Sequence, residues 1–417
     1  MGFITSLTRS WLTRTFKPFK FVNEYDEVLP YGECENLGLY VHIPFCKSLC
    51  NFCPYCKVRY DSELCDEYID ALIREIHAVG GQYKERKRVS SLYFGGGTPA
   101  LAVDRIKEIV DALEEHFVIT EGIGLELHPD DVTEDTLQKL KDAGVTKISI
   151  GIQSFLGKYQ RILGRKSVDK KKLATALSAV HFETVSMDFI FALPEQTFED
   201  LREDIDAAFS VGANHVAIYP FIDFTFTDSG VGTMAKKKKR RLLDEITTYC
   251  LSKGYSRSSI WTFSGEPDAS YSSMTRENFL GFGCSATTLL RDCFKINTFD
   301  VSAYIERIRF DKPATSLTLR FTKRQRMVYW LFWTAYSTKV NAEDFEKFFG
   351  VPLKKVYGFE LWLARLLGFI KEKNGAYEMT LKGAFYYHYY ESFYTLSYID
   401  KMWGIMRKEA FPSYIKL

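Results

Sequence analysis

Between Leu39 and about residue 225, short β-prone runs and charged amphipathic runs alternate strictly, and no other feature constrains the fold as much. The strand candidates are Leu39–Ile43, Ser90–Phe94, Gly124–Leu127, Lys147–Ile150, Met187–Phe191 and His215–Tyr219. Between them, Ser62–Gln82, Ala102–His116, Glu134–Ala143, Asp169–His181 and Thr197–Val211 carry helical periodicity. Such alternation predicts βα units on a parallel sheet. Six strands predict a partial barrel, short of the eight that close a TIM barrel. Ligands of such sheets sit at the carboxyl ends of the strands.

Cys46, Cys50 and Cys53 follow the first strand with three and then two residues between them. A closed zinc site or an electron-carrying cluster takes four protein ligands. Three thiolates instead leave one corner of a four-iron cluster open to an exchangeable ligand, and that is where chemistry can occur. Cys56 could pair with Cys53 as half of a zinc site or as a redox couple, but no second Cys-x-x-Cys and no His pair at metal spacing follows. Cys56 is therefore expected to stand beside the cluster as a bystander. After the second strand comes Gly95-Gly-Gly-Thr-Pro99, whose glycines permit close backbone approach to a ligand.

The 417 residues suffice for a large catalytic domain and a smaller one. A net charge of only +2 gives no global field for nucleic acid. Nine cysteines, four of them within Cys46 to Cys56, form no regular disulfide framework and predict a reducing, cytoplasmic setting. No apolar run approaches the about 18 residues that span a bilayer, and no signal peptide is evident. The 25 Tyr and 33 Phe predict either aromatic surfaces around a large, apolar or lipid substrate, or an aromatic-rich core. Near the start, Phe3, Ile4, Leu7, Trp11 and Leu12 recur at helical spacing among Arg9, Arg14, Lys17 and Lys20, with no acid before Glu24. Two expectations stand for residues 1–22: peripheral contact with the inner face of a membrane, or docking on the protein's own body.

The C-x3-C-x2-C spacing is the signature of radical S-adenosylmethionine (SAM) enzymes. Further motifs occur in order: Glu126 in Leu-Glu-Leu-His-Pro, Gln153 in Ser-Ile-Gly-Ile-Gln-Ser-Phe, Arg165 in Leu-Gly-Arg-Lys, and Asp188 in Met-Asp-Phe-Ile-Phe-Ala-Leu-Pro-Glu-Gln-Thr. Together they resemble the oxygen-independent coproporphyrinogen III oxidase-like family, with its class C radical SAM methylases. The resemblance implies a [4Fe-4S] cluster on Cys46, Cys50 and Cys53. Its open iron would chelate SAM, and one electron would split the sulfonium to a 5′-deoxyadenosyl radical. It further implies Tyr40 beside the cluster, the Gly95, Gly96, Gly97 and Thr98 loop at the methionine amino group, Glu126, Gln153 and Arg165 around the ribose and carboxylate, and Asp188 near the adenosine. A ferredoxin or flavodoxin reductant and anaerobic operation are implied as well. The implied fold is a partial (β/α)6 radical SAM barrel over residues 37–225, an amphipathic lead-in over 1–36, a barrel extension and linker over 226–317, and a winged-helix-like α+β lid over 318–417.

In that last region Thr322–Met327, Val340–Phe349 and Leu361–Gly368 read as helices and Tyr377–Gly383 as a β-ribbon, followed by the aromatic tail Phe385–Tyr390 as core or substrate wall. The segment Gly358-Phe-Glu-Leu-Trp-Leu-Ala-Arg-Leu-Leu is mostly apolar with one arginine, so it suits a lid better than a DNA groove. The basic run Lys236–Arg241 reads as the exposed face of a helix leading to Gly254-Tyr255. The family divides by what the radical attacks. Ser273–Gly283 stands where the haem-carrying branch has His-Asn-x-x-Tyr-Trp, and the Cys-x-Cys ending of the true oxidase is missing. The leading expectation is methyl or methylene transfer with a second SAM, which Gly97 and Thr98 would face. The alternatives are oxidative decarboxylation or ring-opening of a porphyrin or haem, and a haem-binding chaperone, for which His42 is one of seven candidate ligands.

Overall fold

A computed structural model describes residues 3–266 and 277–417, with backbone only for residues 3–5. All six expected strands are present and parallel: β1 Leu37–Ile43, β2 Leu92–Gly96, β3 Ile123–Leu127, β4 Lys147–Gln153, β5 Thr184–Phe191 and β6 His215–Pro220. Each pairs with its neighbour in sequence, as βα crossovers require. The expected helices lie between them at Ser62–Gly80, Val103–Glu114, Glu134–Asp142, Lys170–Ala179 and Phe198–Ser210. Their starts are set chemically. Asp61, Thr133, Asp169 and Thr197 each accept a backbone N–H of the first turn, and Thr197 and Asp200 complete a reciprocal capping box.

A seventh parallel strand, β7 Asn278–Phe282, lies against the outer edge of β1. Beyond it the sheet continues antiparallel through Thr287–Leu289, Cys293–Asn297 and Thr315–Arg320. Lys20–Val22 follows, and Tyr414–Lys416 closes that edge. Chain start and chain end therefore meet in one ladder. The far edge is covered by Thr262–Ser264 and Ser256–Arg257. The first residues of the Ser273–Gly283 departure, Ser273 to Arg276, lie outside the described residues.

The C-terminal region holds helices Lys323–Tyr336, Ala342–Phe349, Leu353–Leu366 and Leu381–Tyr394 and a three-stranded ribbon of Lys339–Asn341, Ala376–Met379 and Ile370–Lys373. The ribbon stops earlier than the pattern suggests. Thr380 Oγ1 accepts the Gly383 N–H at 3.0 Å and starts a helix there, so the aromatic tail is helical. Met327, Trp330, Phe345, Phe349, Leu353 and Tyr357 form a small core of their own, separate from the main one. The basic run begins helix Lys236–Ser252, where Arg240 and Arg241 pair with Asp244 and Glu245 one turn on.

The N-terminal helix, Phe3–Thr13, docks on this C-terminal region. Arg14 pairs with Glu360 at 2.5 Å, Trp11 Nε1 donates to the same carboxylate at 3.0 Å, and Arg9 donates to the carbonyl of Leu417 at 2.8 Å. Of the two expectations for this segment, docking on the body is what its contacts describe. Among the described residues no helix is long and apolar enough to cross a membrane.

Candidate active site

The barrel strands are buried on both faces, and the few residues that break the burial are informative. In β1 the one partly accessible residue is Tyr40, in β2 it is Gly96, in β3 Glu126 and in β5 Asp188. In β4 they are Lys147, Gly151 and Gln153. A polar side chain that stays partly accessible in a doubly covered strand faces a lumen, whereas the fully buried ones are satisfied internally. Except for Lys147 at the amino end of β4, the partly accessible residues belong to one lining.

Local backbone geometry aims them. The β4/β5 register shifts between Met187 and Phe189, so Gly151 and Ile152 bulge beside Asp188. Gln153 closes β4 at φ 70°, a left-handed conformation that costs a non-glycine residue of order 1 kcal/mol. Gly96 has φ 123°, and a Cβ there would come within 2.7 Å of the His42 ring. A Cβ on Gly95 would meet Glu126 Oε1 and the Tyr40 ring at 3.1 Å. The loop therefore threads between the polar side chains that it serves.

Glu126 accepts from Tyr93 OH at 3.0 Å and from Gly96 N–H at 3.2 Å. Burial still raises its carboxyl above the ordinary range, against the pull of those two donors. Burial, and then the facing Glu126, push Asp188 up to about 7, although it accepts from Ser149 Oγ at 2.9 Å and from Ser186. Two carboxyls that resist ionisation together are ready acceptors or donors for sugar hydroxyls. Tyr40 OH lies 3.0 Å from His42 Nδ1, and His42 Nε2 lies 3.1 Å from the carbonyl of Cys56. A carbonyl can only accept, so Nε2 carries the proton and Nδ1 accepts from Tyr40. With both nitrogens engaged and 3% exposure, His42 offers nothing to a haem iron.

The loop carrying Cys46, Cys50 and Cys53 leaves β1 at this same end, held by Val58 N–H to Pro44 O and Tyr60 N–H to Cys46 O. Burial pushes the Cys46 thiol up to about 11, opposed by Thr98 Oγ1, 3.9 Å from its sulfur. Arg165 Nε donates to Cys50 Sγ at 3.4 Å, and its NH1 donates to the carbonyl of Gly151. Donors aimed at sulfur favour thiolates. Three such thiols in one short loop, with a cationic partner, fit a three-cysteine iron–sulfur cluster. The Cys56 thiol lies elsewhere, buried 3.7 Å from Cys284 Sγ and donating to the carbonyl of Phe299.

Gly97 and Thr98 turn toward the cysteine loop. A Cβ on Gly97 would meet the Phe45 carbonyl at 2.6 Å, and Thr98 N–H donates to that carbonyl at 2.8 Å. The structure thus brings Tyr40, the glycine loop, Glu126, Gln153, Arg165, Asp188 and the three cysteines to one end of the barrel.

Sequence reasoning missed several supporting groups. Ser149 and Ser186, in register on adjacent strands, both serve Asp188. Their signal was available: two serines at the same level of neighbouring, otherwise largely apolar strands, one of them two residues before Asp188. It also missed the covering groups. Helix Asp400–Met406 places Trp403 6.0 Å from the Tyr55 ring and stacks it on Phe224 at 6.2 Å. Arg407 donates to the carbonyl of Pro54, next to Cys53, and lies 4.7 Å from the Phe226 ring. No local pattern signals contacts across 353 residues of chain.

Residues 40–208 match the model of the Radical SAM superfamily, so the chain carries a radical SAM domain. Its homologues narrow the type. It is 26% identical over 338 residues to the heme chaperone HemW of Lactococcus lactis, covering 77% of this chain and 87% of the relative. It is also 26% identical over 299 residues to the oxygen-independent coproporphyrinogen III oxidase of Escherichia coli, covering 65% of each. The solved structure of that Escherichia coli oxidase superposes with a TM-score of 0.75 over 92% of this chain and 98% of the other, at 22% identity, which shows a shared fold.

Proposed function

We propose that the chain is a radical SAM oxidoreductase that abstracts hydrogen from a large, mostly apolar substrate at the mouth of the barrel. One observation carries the reading: the residues that interrupt the buried strands lie at the end of the barrel from which the loop of Cys46, Cys50 and Cys53 leaves β1, and Thr98 and Arg165 donate to its sulfurs. When bound, the reduced [4Fe-4S] cluster supplies the electron that cleaves SAM to methionine and a 5′-deoxyadenosyl radical. The chain's own residues bind and orient. Cys46, Cys50 and Cys53 hold the cluster, with Arg165 and Thr98 donating toward their sulfurs. The backbone of Gly95, Gly96 and Gly97 receives the methionine end of SAM, Tyr40, Gln153 and Arg165 flank it, and Glu126 and Asp188 take the ribose and adenosine side. Tyr55, Trp403 and Phe224 supply an aromatic wall that favours an apolar substrate and excludes water. A ferredoxin or flavodoxin is the expected electron donor.

Methyl transfer with a second SAM has less behind it. The relatives carry oxidase and chaperone names. Haem carriage is the second reading, favoured by the Lactococcus relative. Anaerobic reconstitution with iron and sulfide, then reduction with SAM and chromatography, separates the three. 5′-Deoxyadenosine without S-adenosylhomocysteine is the expected result. Both products together would restore methyl transfer. Neither product, with stoichiometric haem binding in a parallel titration, would overturn the reading in favour of a carrier.

A further inference from the structure

Helix Leu353–Leu366 is kinked at Tyr357, and its two halves treat apolar residues oppositely. The first half buries Leu353 and Tyr357 in the small C-terminal core. The second half turns Phe359, Trp362, Leu363 and Leu366 outward, and Leu367 extends the row. Their spacing is one helical stripe, and Phe359, Trp362 and Leu366 are 55%, 56% and 67% exposed. A stripe of this kind ordinarily faces a core.

The N-terminal helix widens it. Leu7 and Trp11, one turn apart, are both more than half exposed, and Trp11 lies 6.2 Å from the Phe359 ring. Glu360 fixes this arrangement by accepting from both Trp11 and Arg14. Phe16 follows, 88% exposed. Two separate parts of the chain thus make one apolar ridge carrying two exposed tryptophans, larger than scattered exposure explains.

Charge around the ridge identifies what it meets. The whole chain is only +2, yet its first 23 residues carry Arg9, Arg14, Lys17 and Lys20 with no acid. Residues 351–375 carry Lys354, Lys355, Arg365, Lys371 and Lys373 against Glu360 and Glu372. Both acids are already paired, Glu360 with Arg14 and Glu372 with Lys354 and Arg365. An apolar ridge with tryptophans and a cationic rim matches the interface of an anionic bilayer, where indoles settle at headgroup depth and cations meet lipid phosphates. We propose that the face formed by residues 7–17 and 359–367 docks the protein on an anionic lipid surface. Docking occurs through both segments together, and it is independent of the reaction at the barrel mouth.

The test is co-sedimentation of the full chain with vesicles of equimolar phosphatidylglycerol and phosphatidylcholine, beside vesicles of phosphatidylcholine alone. The expected result is binding to the anionic vesicles, with a blue shift of tryptophan fluorescence and weakening in high salt. Trp362→Glu with Leu366→Glu is expected to lower the affinity about tenfold or more. Lys371→Glu with Lys373→Glu should lower it less and flatten the salt dependence. Both pairs of sites face solvent, and unchanged circular dichroism checks their folding. Deleting residues 1–22 would be a poorer probe, since Lys20–Val22 is an inner strand of the sheet. Failure of the unaltered chain to bind, or binding indifferent to Trp362 and Leu366, overturns the proposal. So does a dimer in sedimentation velocity that the double variant converts to monomer, which would make a second copy the occupant.

Discussion

The barrel and the C-terminal region break the same rule in opposite directions. In the barrel, polar groups interrupt strands buried on both faces, and they point inward to a lumen. In helix Leu353–Leu366, apolar groups interrupt a solvent-facing surface, and they point outward. Each violation costs stability: a buried carboxyl resists ionisation, and an exposed Trp forgoes the favourable transfer from water, about 1.5–3 kcal/mol for a large apolar side chain. Scaffold residues have no reason to bear such costs. The two regions therefore point to two separable tasks, chemistry at the strand ends and docking on the helix.

Cys46, Cys50 and Cys53 replaced together by alanine should give the largest effect. Iron content and the cluster's visible absorbance are expected to vanish, and 5′-deoxyadenosine formation to fall by roughly three orders of magnitude or more. Vesicle binding should be unchanged. If the triple variant also lost vesicle binding while remaining folded, the separation of the two regions would be broken.

Asp188→Asn tests the cost of the inward-facing carboxyl. The folded pKa of Asp188, raised to about 7 from 3.8, means that the native state holds a proton which the unfolded chain releases. Stability from this group is thus fully present below about pH 4 and is lost as pH rises to about 7. The variant removes that loss. Its melting temperature should exceed that of the unaltered chain at pH 8 and not at pH 4.5, with a difference of about 1–2 kcal/mol at the higher pH once partial solvation of the site is allowed for. SAM affinity should fall over the same comparison. A variant less stable at pH 8 would show Asp188 to be a structural acceptor for Ser149 and Ser186.

The barrel was legible because its signals are local. Each strand lay within two or three residues of its expected ends, and four of the five helices began at a side chain able to cap them. Strand β7 was not legible. Asn278–Phe282 is a short segment, Asn-Phe-Leu-Gly-Phe, whose parallel partner, β1, lies some 240 residues earlier, so only tertiary pairing selects it. The helix through Phe385–Tyr390 was masked by aromatic β-propensity and settled by the Thr380 cap and by packing, as where Tyr387 OH donates to the Phe332 carbonyl. In the site, motif order brought the cysteines, the glycine loop, Glu126 and Asp188 together. The link from Arg165 to Cys50 sulfur depends on how a loop folds back and could not be read from spacing.

Arg165→Lys addresses that link, with a smaller expected effect. An ammonium cannot reproduce the fork that serves Cys50 Sγ and the Gly151 carbonyl together. Loss of a donor to sulfur should lower the cluster's reduction potential by on the order of tens of mV and alter its electron paramagnetic resonance signal. SAM affinity should weaken about tenfold. An unchanged potential with weakened SAM binding would assign Arg165 to SAM alone.

The smallest effect compares the two regions through one shared device. Thr197 and Thr322 each open a helix with a reciprocal capping box, closed by Asp200 in the barrel and by Gln325 in the C-terminal region. Alanine at either cap should cost about 1 kcal/mol. The helix after Thr197 packs into the main core, so Thr197→Ala should shift the main unfolding transition. The helix after Thr322 contributes Met327 and Trp330 to the separate C-terminal core. Thr322→Ala should therefore lower an earlier, smaller transition and leave the main one in place. Differential scanning calorimetry distinguishes the cases. Identical shifts of a single transition would show that the small core unfolds only with the barrel, and the surface it presents would then be as rigid as the site itself.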